Sequence, residues 1–326
     1  MTRNGLGVIL LLLTGGFFWF WHQDKAPKLA DTNLPGRVMP TKVALWTAPD
    51  SNSIPHNDSG QLILYGKELI HETARYFGPR GRIGLHANGM NCQNCHINGG
   101  IVPWGNNFSA VISTYPHMSY RSGKMMSISG RVNDCFERSM NGQALDTNSR
   151  EMRAIIAYMH WIGDGIAKGN KPLGSGTMKL PYLDRAADTV KGKTVFLNYC
   201  QRCHGKNGEG LANSSHTEYI YPPLWGEHSY NTGAGLYRLS AFAGFVKNNM
   251  PFLEASYKHP KLTNEQAWDV AAFVNTMPRP LIKNKVDYPD ISKKEVDNPL
   301  GPYSDTFPQR QHKYGPFKAI ALLKKN

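Results

Sequence analysis

An all-α fold in two similar halves, joined by long loops, is what this sequence predicts, and three observations predict it. The pattern Cys-x-x-Cys-His occurs twice, as Cys92-Gln-Asn-Cys95-His96 and Cys200-Gln-Arg-Cys203-His204. A helical apolar pattern precedes each copy and another follows it. No long alternating apolar–polar run of strand type is present. At 326 residues the chain is long enough for two domains of about 100–200 residues each.

Taken in order, residues 1–26 read as a signal peptide or membrane anchor. Gly5 to Trp21 carry no charge and are mostly apolar, with Arg3 before them and Asp24 and Lys25 after. Phe17, Phe18, Trp19 and Trp21 resemble an interfacial aromatic belt. Export to the periplasm is therefore expected, either soluble after cleavage or held to the inner membrane through residues 5–21. The first domain spans 27–165. Tyr65-Gly-Lys-Glu-Leu-Ile70 opens a helix before the first motif, and Ser149 to Trp161 closes the domain with apolar residues at helical spacing. Residues 166–184, rich in Gly, Lys and Pro, form the linker. The second domain, 185–285, repeats the plan with Lys191-Gly-Lys-Thr-Val-Phe196 and the closing helix Thr263 to Asn275. Both closing helices start with Ser or Thr followed two residues later by Glu, an N-terminal signature. Residues 286–326, including Arg310-Gln-His-Lys313 and Lys324-Lys325, read as a solvated basic tail.

Cys-x-x-Cys-His has a specific chemistry. Two thiols at this spacing add to the two vinyl groups of a haem, and the adjoining His places its imidazole on the iron. A zinc site would need further Cys or His ligands at matching spacing, and none are present. A redox pair would follow a strand in an α/β pattern, which is also missing. The two motifs thus predict two covalently attached haem c groups, on Cys92, Cys95 and His96 and on Cys200, Cys203 and His204. Opening helix, motif, ligand-bearing loops and closing helix make the order of a class I cytochrome c, twice. Composition agrees: 40% apolar and 19% charged residues exclude a disordered chain, a coiled coil and a polytopic membrane protein. The formal charge of +13 points to an anionic ligand, partner or surface. Nucleic acid is not needed to explain it.

The remaining iron ligands come from the loops. For the second haem, Met250 in Asn249-Met-Pro251 is favoured over Met277, which ends the closing helix. A thioether raises haem potential and suits electron transfer. In the first half the fifth cysteine, Cys135, stands where a cytochrome c offers its Met, with Met140, Met125 and Met126 as rivals. It sits among charges, in Arg131-Val-Asn-Asp-Cys-Phe-Glu-Arg138, and nearby Arg favours a thiolate.

From about Leu45 to Pro280 the chain resembles the dihaem thiosulfate dehydrogenases, which also act as tetrathionate reductases. The resemblance rests on Asn88-Gly-Met-Asn-Cys-Gln-Asn-Cys-His96, Tyr120-Arg-Ser-Gly123, Arg131-Val-Asn-Asp-Cys-Phe-Glu-Arg-Ser-Met-Asn-Gly142, Asn249-Met-Pro251 and Ala267-Trp-Asp-Val-Ala-Ala272. It implies an oxidoreductase that interconverts thiosulfate and tetrathionate. It implies His96 and Cys135 on the active-site iron, with Arg121, Arg131 and Ser139 in the substrate pocket. It also implies His204 and Met250 on a second haem that passes electrons outward, to a small cytochrome c or a similar redox partner. Some members carry a Lys ligand where this chain has Asn249, so Met250 is expected on the iron in both redox states. The competing readings are a dihaem carrier with no catalysis of its own, and an enzyme conjugating thiosulfate to a carrier protein. Cys135 among arginines argues against the first, and a second haem in the same chain against the other.

Overall fold

The computed structural model describes residues 44–282 and 286–324. The expected signal or anchor, 1–26, lies outside them. Among the described residues no helix is long and apolar enough to cross a membrane. All described residues belong to one compact unit, Val43–Asn326, with two apolar cores.

Helix α1 (Asp58–His71) is capped by Asn57, whose side chain accepts from the Gly60 amide at 3.1 Å. Helix α2 (Ile128–Asp134) is capped by Ser127 through Gly130 N at 3.0 Å. Helix α3 (Arg150–Ile162) starts at Ser149, which accepts from Met152 N at 3.1 Å. In the second half, α4 (Thr189–Val195) is capped by Asp188 and runs on through a π turn, Phe196–Cys200, into the short helix Gln201–His204. Helix α5 (Leu239–Asn249) and helix α6 (Asn264–Thr276) come next. The cap of α6 is a reciprocal box between Thr263 and Gln266, so the fourth residue of the signature closes it rather than Glu265.

The first core packs Ile63, Leu69 and Ile70 of α1 against Met152, Ile155, Tyr158 and Ile162 of α3. The second packs Val195 and Phe196 against Trp268, Val270 and Phe273 of α6. Both helix crossings depend on one glycine. A Cβ on Gly66 would lie 1.9 Å from the Ala154 carbonyl oxygen, and one on Gly192 2.0 Å from that of Asp269. Backbone cannot yield as a side chain can. Gly66→Ala or Gly192→Ala should therefore cost about 3 kcal/mol or more. An unchanged melting temperature of the haem-loaded protein in either variant would show that these crossings are looser than the backbone indicates.

Among the described residues the strands are short: three antiparallel pairs, one of them β1 (Gly105–Asn107) with β2 (Gly176–Thr177). That last pairing ties the linker to the first half, while Leu180 of the same linker packs into the second core.

The C-terminal segment departs from expectation. It is not a solvated tail. It forms α7 (Gln309–Tyr314) and α8 (Lys318–Leu323), and Phe317 and Ile320 are buried in the second core. Several of its basic residues are partnered, Lys318 by Asp184 among them. Buried Lys294 donates to the carbonyls of Leu300 and Pro302, at 3.0 and 2.8 Å, and stands over the rings of Tyr288 and Tyr303. Spaced apolar residues here outweigh a basic composition.

Candidate active site

Each Cys-x-x-Cys-His motif opens onto its own cavity. The first, of ≈ 390 Å³, is walled by Cys92, Cys95, His96, Cys135 and Ser139 together with apolar side chains such as Phe108, Val132 and Met159. The second, of ≈ 600 Å³, is walled by Cys200, Cys203, His204 and Met250 with Phe242, Val246 and Val270. None of the five cysteines is in a disulfide. Met90, Cys95, Tyr230 and Leu236 line both cavities, so the two are neighbours across a single layer of side chains.

The two histidines are held alike. His96 Nδ1 meets the Asn106 carbonyl at 2.5 Å, and His204 Nδ1 meets the Pro222 carbonyl at 2.8 Å. A carbonyl only accepts, so each Nδ1 carries the proton and each Nε2 keeps its lone pair. Burial pushes His96 down to about 4, against the pull of the Asn106 bond, and lowers His204 as well. Both rings are thus neutral at neutral pH, as an iron ligand must be. Burial also pushes the Cys92, Cys95 and Cys200 thiols up to about 12. Paired thiols, a neutral imidazole with a fixed tautomer and an apolar cavity fit a covalently attached haem in each half.

Cys135 comes directly after α2 and begins a π turn, Cys135–Ser139. Arg131, one helical turn earlier, donates from Nη1 to the Cys135 sulfur at 3.2 Å. Its electrostatic interaction with Cys135 raises Arg131 above the ordinary guanidinium range, against the cost of burial. Tyr115 and Asp134 add to the effect. Of the rival ligands, Met140 is buried and lines the first cavity, whereas Met125 is exposed on a strand and Met126 is off the wall. In the second half Met250 lines the cavity and Met277 does not. The buried Asn249 amide donates to the Trp104 and Phe245 carbonyls, at 3.1 and 2.8 Å.

The arginines separate. Arg131 is on the wall of the first cavity. Arg121 is not; it donates to the Gly233 carbonyl at 2.9 Å, beside the loop that places Ala234 and Gly235 on that wall. Arg138 is buried and forked onto Asp287 at 2.7 Å, with Asp134 at 3.0 Å. Sequence reasoning missed Arg238 and Tyr115, which also line the first cavity. Arg238 comes from the second half, and no local pattern marks it. Among the described residues, the charged ones on the wall of the first cavity are Arg131 and Arg238, with no carboxylate, and none lines the second.

Comparison with known proteins agrees with this layout. Residues 85–167 match the family model "SoxA/TsdA, cytochrome c domain", and residues 189–278 match "Cytochrome c". Haem c is the cofactor such domains carry. The thiosulfate dehydrogenase of Psychrobacter arcticus is 36% identical over 74% of this chain and 71% of its own length. That of Allochromatium vinosum is 37% identical over 75% of this chain and 87% of its own. The solved thiosulfate dehydrogenase (TsdBA) of Marichromatium purpuratum, in its "as isolated" form, superposes with a TM-score of 0.68 at 28% identity. The match covers 80% of this chain and about half, 54%, of that one. On these identities and this coverage, the chain belongs to the thiosulfate dehydrogenase family.

Proposed function

We propose that the protein is a dihaem c-type oxidoreductase that joins two thiosulfate anions into tetrathionate with release of two electrons, and that also runs in reverse as a tetrathionate reductase. The observation that carries this reading is the contrast between the cavities: a thiol under a guanidinium in a cationic first cavity, and a neutral second one. When bound, the two haems, one held by His96 and Cys135 and the other by His204 and Met250, supply the one-electron acceptors. Electrons leave from the second half to a small cytochrome c-type acceptor. Exposed Ile220, Phe252 and Leu253 at the second cavity support that exit, since they offer an apolar docking rim.

The residues of the chain supply the rest. Two dianions 4 Å apart repel by roughly 17 kcal/mol at an effective dielectric of 20. Arg131 offsets part of this by forked bonds to sulfonate oxygens. Ser139 donates one bond more. Arg121 holds the cavity loop through Gly233 and adds its charge from behind it. Cys135 acts as the nucleophile. Its thiolate joins the outer sulfur of one thiosulfate with loss of two electrons. The outer sulfur of a second thiosulfate attacks that same atom, and tetrathionate leaves as the thiolate is restored. With Asn249 turned onto two carbonyls, Met250 remains the ligand in both redox states. The apolar run 5–21 supports a periplasmic location, free or anchored.

The test is thiosulfate-dependent reduction of ferricyanide by the purified haem-loaded protein, alongside oxidation of a reduced dye by tetrathionate. Turnover in either assay is expected; none in both would leave only an electron relay.

A further inference from the structure

Arg238 precedes α5 in the second half, yet its side chain lines the first cavity. It is aimed there from the C-terminal segment, which lies beyond both family-model matches. Its Nη1 is 3.0 Å from Glu295 Oε1 and 4.0 Å from Asp297 Oδ1. Both carboxylates are themselves anchored. Glu295 Oε2 accepts from the Tyr288 hydroxyl at 2.5 Å. Asp297 Oδ2 accepts from the Ser240 amide at 2.8 Å and its hydroxyl at 2.5 Å. Glu295 also lies in the field of Arg121, so two guanidiniums share it. Arg238 is enclosed by protein but keeps 28% of its side-chain surface, consistent with its place on the cavity wall. A guanidinium has five donors, and these contacts leave several of them free.

We propose that Arg238 is an anion-binding residue of the first cavity, lent by the second half and aimed by Glu295 and Asp297. Its ligand is an oxyanion. That oxyanion is either the sulfonate of thiosulfate, which rests on the function proposed above, or a carboxylate of the attached haem, which does not.

The test uses Arg238→Gln, Arg238→Lys and Glu295→Gln in the full-length haem-loaded protein. Thiosulfate binding is measured by calorimetry, and the first haem is titrated potentiometrically without thiosulfate. If the sulfonate is the ligand, Arg238→Gln weakens thiosulfate about 10- to 100-fold with the potential unchanged, and Arg238→Lys recovers part of the loss. If the haem carboxylate is the ligand, the potential falls and its pH dependence shifts while thiosulfate binding stays the same. Either result supports the assignment. Unchanged binding together with an unchanged potential overturns it. Both readouts work without turnover, so a protein inactive on thiosulfate still reports on Arg238. Should Arg238→Gln fail to accumulate, Glu295→Gln decides: with the aim of Arg238 lost, thiosulfate binding weakens or the potential of the first haem shifts, and no change in either overturns the proposal.

Discussion

Cys135→Met should lower thiosulfate turnover about 100-fold or more while both haems remain attached. The thioether has nearly the volume needed to fill the site, but it carries no charge for Arg131 to meet and cannot form a sulfur–sulfur bond with substrate and release it. On the ligation proposed above, it would also give the first haem the neutral ligand of an electron carrier and raise its potential. Steady-state rates with ferricyanide measure the first effect. Electron paramagnetic resonance of the oxidised protein measures the second, because the thiolate signature should be lost. Cys135→Ala removes ligand and nucleophile together, and full turnover in that variant would sink the nucleophile role.

A second large effect is expected far from the chemistry. Arg138→Met should destabilise the protein by about 3–5 kcal/mol, the range for removing one partner of a buried ion pair. The Arg138 side chain is 4% exposed and binds Asp287 in a fork, with Asp134 one turn away. Methionine matches its apolar stem but takes the fork from Asp287 and the Nε bond from Asp134. The loss also has a pH signature. Burial pushes the Asp134 carboxyl up, but Arg138, Arg131 and Arg121 outweigh it and hold it below the usual aspartate range. The folded state then binds fewer protons than the unfolded one near pH 4 and below, so this stabilisation is present above that pH and fades as pH falls. The difference between parent and variant, from denaturant melts, should shrink between pH 7 and pH 3.5. A difference constant across that range would assign Arg138 to packing alone.

The parts of this molecule that could be read from its sequence are those with a short period. Ser149 and Thr263 cap closing helices because one side-chain oxygen and an amide three residues on are all a cap needs. The motifs were legible for the same reason. The arginines were not. Arg131 and Arg138 flank Cys135 at similar distances along the chain, yet only Arg131 reaches the cavity. The π turn Cys135–Ser139 holds an extra residue, and one residue is about 100° of helix rotation, so an ordinary helical phase misplaces the side chains beyond it. Arg238 was invisible because the carboxylates that aim it stand 57 and 59 residues further along, and because it serves the other half of the chain. The C-terminal segment misled by composition: its positive charge suggested water, while Phe317 and Ile320 carried the information that mattered.

Residues 230–241 close one side of the first cavity, although its motif ends at His96. The ribosome makes the N-terminal part first, so for much of synthesis that hollow has no fourth wall. Excised at the linker, the N-terminal piece would be an open bowl rather than a minimal catalyst. Evolution can therefore retune the first cavity through mutations in what looks, by sequence, like the other half's own loop.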